Sequence, residues 1–176
     1  SADDDDSAPA ACDDAAVGAA LASLASWPQQ ITCGYNANLG TASAEHRIGL
    51  SWDAWALSGS MAVGTQYVLW FDGSLGQPDQ VAGSLELETG SNLLVNDCND
   101  ALDPFNQPAV VDSWSAIAGS ATLTVVAISP PSGPGNPFTG AVALSGVVIE
   151  QDGSPGTTCT VPDATWTGFY MGWLPG

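Results

Sequence analysis

Two oxygen-rich segments carry side chains whose types and spacing could bind a metal ion. One is the stretch "VNDCNDALDP", and the other is the acidic run near the start of the chain. Carboxylate and amide oxygens from flexible loops are the ligands that calcium takes in proteins, so both segments are candidate calcium sites. Neither has the central glycine and final glutamate of an EF-hand, and an Asx-rich turn or a solvated charge run remains an alternative for each. The candidate ligands are Asp97, Asn99, Asp100, Asp103, Asp3, Asp4, Asp5 and Asp6.

Catalytic chemistry finds little support in the residues. His46 is the single histidine, so a zinc site with two or three histidines cannot form within one chain. The sequence has no G-x-S-x-G nucleophile elbow and no glycine-rich phosphate loop. Paired carboxylates could hydrolyse a glycosidic bond, but most of the acids lie in polar, turn-like strings instead of an apolar cleft. We therefore expect a protein with no catalytic residues.

Tryptophan is abundant, with 7 residues in the chain. Indole faces can stack on sugar rings, although aromatic side chains in strand-like segments more commonly belong to the core. Trp52 and Trp55 are three positions apart and cannot share one face of a regular strand, so one of them is expected to point outward. The candidate residues for ligand binding or assembly are Trp52, Trp55, Trp166, Tyr170 and Trp173.

Four cysteines, Cys12, Cys33, Cys98 and Cys159, lack the C-x-x-C spacing of zinc or redox motifs. An even count predicts two disulfides, and of the three possible connectivities we favour Cys12–Cys33 with Cys98–Cys159. Four free buried thiols are the alternative. Disulfides indicate an oxidising, extracellular or cell-surface location. Because the chain begins with Ser instead of Met, we expect that a leader has been removed.

Charge limits the partners that the protein can bind. The 176 residues include 19 acids against one Lys or Arg, for a net charge of −18. Nucleic acids and anionic membrane surfaces need several basic contacts, so both are excluded. No apolar run approaches the roughly 20 residues that span a bilayer. Self-association, other surface proteins or a glycan remain as partners.

Hydrophobic patterning predicts one domain dominated by strands. Residues 1–12 form an acidic N-terminal arm, and residues 13–176 form the domain. Val17, Leu21 and Leu24 share one helical face, which predicts a short helix at about residues 13–26 packed on the rest. After Pro28, short alternating segments separated by Gly and Pro predict an all-β fold, an antiparallel β-sandwich or jelly roll. The predicted strand segments are 31–35, 47–57, 60–71, 81–88, 119–129, 140–150 and 164–173. The segments at 119–129 and 140–150 are expected to pair as a hairpin with a long tip.

These features predict a non-catalytic extracellular protein. The favoured function is a structural or assembly subunit of a cell-surface layer or filament, dependent on divalent cations. The apolar C-terminal segment "TWTGFYMGW" could add to a neighbouring sheet by strand pairing. The alternative function is a secreted carbohydrate- or ligand-binding module that uses exposed Trp.

Overall fold

The computed structural model describes residues 12–30, 36–52, 62–73, 81, 83–94, 107–128 and 138–171. These residues form one α-helix, one short 3-10 helix and nine β-strands, and all strand pairs are antiparallel. The prediction of a mostly β protein with one N-terminal helix is confirmed. Neither helix in these ranges is long and apolar enough to cross a membrane.

The helix α1 spans Ala15–Leu21, and the 3-10 helix follows at Leu24–Ser26. Asp14 caps α1, because its carboxylate accepts hydrogen bonds from the backbone N–H groups of Ala16 and Val17 at 2.9 and 3.0 Å. The apolar face buries Val17 and Leu21 against the strands. The predicted segment at 13–26 is therefore helical, but it is divided between two short helices.

The strands match most of the predicted segments. In chain order they are β1 Gln29–Gln30, β2 Asn36–Gly40, β3 His46–Trp52, β4 Gln66–Trp70, β5 Gly83–Ser91, β6 Ala109–Ile128, β7 Phe138–Gln151, β8 Thr158–Thr160 and β9 Ala164–Met171. The pattern did not predict β1, β2, β8 or the first half of β6. The segment predicted at 31–35 lies outside the described residues.

A long β6–β7 hairpin organises the sheet, as the alternation predicted. The order β1-β2-β3-β5-β6-β7-β8 runs across the first half of β6 and the second half of β7. The strand β4 pairs instead with the second half of β6, and β9 with the first half of β7. Register shifts between Ala116 and Ser120 mark the point at which β6 changes partners. Each half of the hairpin therefore carries its own set of neighbouring strands.

One apolar core joins the strands and the helices. Trp114 on β6 is fully buried, and so are Leu87 on β5 and Ile149 on β7. Alternate residues of each strand supply this core, which leaves the intervening residues on the outer face of the sheet. The outer residues of β2, β3 and β5 are mostly polar.

The observed disulfide joins Cys12 to Cys159 on β8, so the favoured connectivity was wrong. The segment before α1 runs beside β8, where the Asp13 N–H donates to the carbonyl of Thr158 at 3.0 Å. The Thr158 N–H donates in turn to the Asp13 carboxylate at 2.8 Å. This neighbour is distant in sequence, so cysteine spacing gave no sign of it. Cys33 and Cys98 lie outside the described residues.

Neighbouring groups cover the outer edges of three strands. Asp13 covers the edge of β8. The side chain of Gln29 donates to the carbonyl of Thr167 on β9 at 2.7 Å, and the Val81 N–H donates to the carbonyl of Val68 on β4 at 3.1 Å. Covered edges protect a sheet against pairing with other chains.

Candidate ligand-binding groove

A shallow polar pocket lies on the outer face of β2, β3 and β5. It forms because Ile48 and Leu50 of β3 point into the core, while Arg47, Gly49 and Ser51 alternate with them on the outer side. Its volume is about 190 Å³. The polar pocket is lined by Asn36, Asn38, Arg47, Gly49, Leu50, Ser51, Ser84, Glu86 and Glu88.

Strand register brings these residues side by side. Gly49 lies between Asn38 of β2 and Glu86 of β5, and in the next row Ser51 pairs with Ser84. The hydroxyls of Ser51 and Ser84 share a hydrogen bond of 2.8 Å. A Cβ at Gly49 would lie 3.1 Å from the Asn38 Oδ1 atom, so the glycine keeps the floor of the pocket open.

Arg47 is held at one end of the polar pocket. Its Nε donates to Glu88 Oε2 at 2.8 Å, its Nη2 forms an ion pair with the same oxygen, and its Nη1 donates to the carbonyl of Leu93 at 3.1 Å. Both charged side chains are largely buried, with 15% and 18% exposure. Since this is the single Lys or Arg of the chain, the pocket presents no other lysine or arginine to a ligand.

Glu86 differs from Glu88, because no described residue forms a hydrogen bond or ion pair with its carboxylate. Partial burial raises the pKa of Glu86, and the nearby charges of Glu88 and Asp152 raise it further, whereas Arg47 acts in the opposite direction. The excess negative charge around Glu86 is therefore incompletely compensated within the protein. A ligand that donates hydrogen bonds or carries positive charge would relieve it.

A second pocket, the fork pocket, lies where β5 and β4 diverge from β6. The ladder between β5 and β6 reaches Glu86 and Ser115, and the ladder between β4 and β6 begins at Trp70 and Ser120. The gap between these ladders opens a volume of about 260 Å³. The fork pocket is lined by Trp70, Phe71, Gly73, Gly83, Ser84, Leu85, Glu86, Ser115 and Ala116.

Trp70 gives the fork pocket an exposed aromatic wall. Its side chain is 41% exposed. Ser84 and Glu86 line both pockets, so the two pockets are adjacent, and we refer to them together as the groove. Each pocket alone is smaller than the roughly 300 Å³ of a typical small-molecule site. Because Ser84 and Glu86 line both, a ligand that extends from one pocket into the other could contact both residues.

No protein-family model, curated protein or solved structure matches this chain.

Of the aromatic residues predicted for ligand binding or assembly, those whose side chains the structure describes do not line the groove. Trp52 and Trp166 are core residues with 7% and 6% exposure, so little of either indole is open at the surface. The reason is strand alternation, since Trp52 falls in phase with Ile48 and Leu50. Tyr170 lies on β9, but its side chain lies outside the described part of the chain, as do Trp55 and Trp173.

The predicted calcium ligands also lie outside the described residues. This holds for the acidic arm and for the segment that contains Asp97, Asn99, Asp100 and Asp103. Within the ranges that the structure covers, no three His, Cys, Asp or Glu side chains converge as a metal site would require. The calcium hypothesis stays a prediction.

Sequence reasoning missed Trp70 as a surface residue. A signal was present, because Tyr67 and Leu69 alternate as one face of β4, Phe71 continues that alternation after the strand, and Trp70 falls out of phase with them. The alternation of Leu85 and Leu87 with Glu86 places Glu86 on the outer face of β5, but no local pattern could place it beside Trp70.

Proposed function

We propose that this protein is a non-catalytic extracellular binding module whose groove holds a hydroxyl-rich ligand, with carbohydrate as the ligand class. The observation that carries the proposal is that the Trp70 pocket lies next to the polar pocket and shares Ser84 and Glu86 with it. A sugar ring has an apolar face and a rim of hydroxyl groups. The groove offers a matching arrangement of one exposed indole beside amides, hydroxyls and a carboxylate.

The carboxylates of the groove support binding over hydrolysis. A glycosidase of the common kind needs two carboxyl groups free to act as acid and as base or nucleophile. Glu88 is engaged by Arg47 and only Glu86 is without a described partner. This arrangement leaves one carboxyl group to bind a ligand, and not a catalytic pair.

The proposal includes a β-sandwich architecture and an extracellular location. We take the two sets of strands on the β6–β7 hairpin as the two sheets of a β-sandwich, since bulges such as those near Ala118 bend strands from one layer to the next. The Cys12–Cys159 disulfide supports secretion or display at a cell surface, because disulfides persist in oxidising compartments.

Replacing Trp70 by alanine should abolish carbohydrate binding without unfolding the protein, because an exposed side chain adds little to the core. The measurement is retention on insoluble polysaccharides (cellulose, xylan, chitin and chitosan). The matched control is Ile117→Ala, which truncates another exposed apolar side chain on β6 that does not line the groove. We expect retention of the unmodified protein and of the control on at least one polysaccharide, and loss of retention for Trp70→Ala. Equal behaviour of all three proteins would contradict the proposal.

A second candidate function is assembly, which one apolar surface favours. Val63, Val126 and Ile128 are exposed at the same end of the β4–β6 pair, where the N–H of Gly64 donates to the carbonyl of Val125 at 2.8 Å. We propose that a second copy of the chain would cover this apolar end in a surface layer or filament. The hydrogen bonds already formed at the outer edges of β4, β8 and β9 favour such side-chain contact over strand addition.

Assembly of this kind should depend on divalent cations. Copies that each carry a net charge of −18 repel one another, and calcium bound by converging carboxylates would reduce this repulsion more than sodium at equal ionic strength. Sedimentation and melting temperature in matched calcium and sodium buffers test this, with Val63→Ser/Val126→Ser as a variant that weakens the contact. Particles that stay monomeric in both buffers would rule out the assembly function.

A further inference from the structure

We propose that the groove selects an amino sugar, with the protonated amine beside Glu86 and the sugar ring against Trp70. This inference rests on the proposed carbohydrate-binding function and names its ligand more closely. It follows from three observations: the charge of the groove, the absence of a hydrogen-bonding or ion-pairing partner for Glu86 among the described residues, and the position of the Trp70 indole.

The charge of the groove excludes anionic sugars and favours cationic ones. Arg47 is committed to Glu88 and to the carbonyl of Leu93, so it is poorly placed to receive a carboxylate or sulfate. The negative charges of Glu88 and Asp152 both act on Glu86. A net charge of −18 for the whole chain attracts cations toward that surface and repels uronic or sulfated glycans.

Glu86 supplies the specific contact for an ammonium group. Its carboxylate has no hydrogen-bonding or ion-pairing partner among the described residues, and it lines both pockets. Trp70 lines the fork pocket with Glu86, so a cation there would meet a carboxylate and an indole within one pocket. Carboxylate pairing and cation–π attraction then act on the same amine.

The rest of the groove favours a sugar over other primary amines. Asn38 and the hydrogen-bonded hydroxyls of Ser51 and Ser84 offer both donors and acceptors to ligand hydroxyls. A polyamine or a lysine side chain would place methylene groups against these polar atoms and leave their hydrogen bonds unmade. The polar pocket thus adds a preference for hydroxyls to the preference of Glu86 for a cation.

Titration calorimetry with three soluble probes tests the inference. The probes are a β-1,4-linked glucosamine tetramer, its N-acetylated counterpart and tetralysine. We expect the glucosamine tetramer to bind at least about tenfold more tightly than the N-acetylated tetramer, since a charge-assisted hydrogen bond has about that effect on affinity. It should also bind more tightly than tetralysine, which leaves the hydrogen bonds of the polar pocket unmade. Its affinity should also fall as salt is added.

Two variants test whether Glu86 causes the preference for the free amine. Glu86→Gln keeps the shape of the side chain and should lower the affinity for the glucosamine tetramer about tenfold, while its affinity for the N-acetylated tetramer changes less than about twofold. Glu45→Gln removes the same charge from an exposed residue outside the groove lining and should change neither affinity. A thermal melt of each variant verifies that it is folded.

Each other outcome has a distinct meaning. Equal binding of both tetramers with no effect of Glu86→Gln overturns the amino-sugar inference and leaves the carbohydrate-binding function standing. Equally tight binding of tetralysine overturns the selection of a sugar and indicates a basic peptide as ligand. Binding of neither tetramer, together with no retention on any polysaccharide, overturns the proposed function itself.

Discussion

Replacing both Cys12 and Cys159 by serine should lower the free energy of unfolding by about 3 to 5 kcal/mol. The two cysteines are 147 positions apart, so their disulfide closes a loop that includes most of the chain. In the chain-entropy account, a loop of this length restricts the unfolded state by about 5 kcal/mol at 25 °C, and measured values for disulfides are more commonly about 2 to 4 kcal/mol. The bond also fixes the segment before α1 against β8.

Urea denaturation followed by circular dichroism measures this loss. The melting temperature should fall by about 10 °C for a chain of this length. Ala22→Ser/Ala25→Ser is a suitable control, because it introduces two serines at exposed positions near the same helix without removing a bond. A cysteine variant that unfolds at the same urea concentration as the control would contradict the expected contribution.

Peptide mapping without reduction tests the pairing directly. Of the three ways to pair four cysteines, the one that contains Cys12–Cys159 pairs Cys33 with Cys98. We therefore expect a peptide containing Cys12 linked to one containing Cys159, and a second linkage between the peptides of Cys33 and Cys98. Free thiols at the last two positions would show that the chain has one disulfide.

Gly119→Ala should destabilise the protein by more than about 3 kcal/mol. Gly119 lies in β6 where the strand changes partners, and its φ of +87° belongs to a region that alanine adopts at a cost of about 1 to 2 kcal/mol. A Cβ there would also lie 2.4 Å from the carbonyl oxygen of Gly146 on the paired strand. The overlap is with backbone atoms, so it can be relieved only by moving β6 away from β7.

Gly146 provides the matched control for that substitution. It has a φ of +60°, but a Cβ at this position would meet nothing within 4 Å. Gly146→Ala should therefore incur the backbone cost alone, about 1 kcal/mol. Denaturant midpoints of the two variants measure the difference. Equal destabilisation would show that the close contact between β6 and β7 at Gly119 is not required for the fold.

The alternation of apolar residues was enough to predict most of the strands. In β5, for example, Leu85 and Leu87 are buried while Ser84 and Glu86 alternate with them on the exposed face. The missed strands lack that signal. The strand β2 has the sequence "NANLG", in which small and polar residues weaken the pattern, and β8 is only "TCT". Both are held by register with their neighbours, which a single segment does not encode.

The groove depends on contacts between residues that are distant in sequence. Trp70 and Glu86 line one pocket because β4 and β5 approach β6 from the same side at successive positions. Asn38, Gly49 and Glu86 share a row because three strands align in register. The sequence could show that each of these residues is outward-facing, but it could not show which of them meet.

Nuclear magnetic resonance titration of the labelled full chain with the glucosamine tetramer tests the central claim, that the groove is the binding site. We predict that the backbone signals of Gly49, Ser84 and Glu86 and the indole N–H signal of Trp70 shift together and saturably, while the signals of Val63 and Ile128 at the apolar end stay unchanged. Shifts confined to the apolar end, or no saturable shift in the groove for either tetramer, would contradict the account.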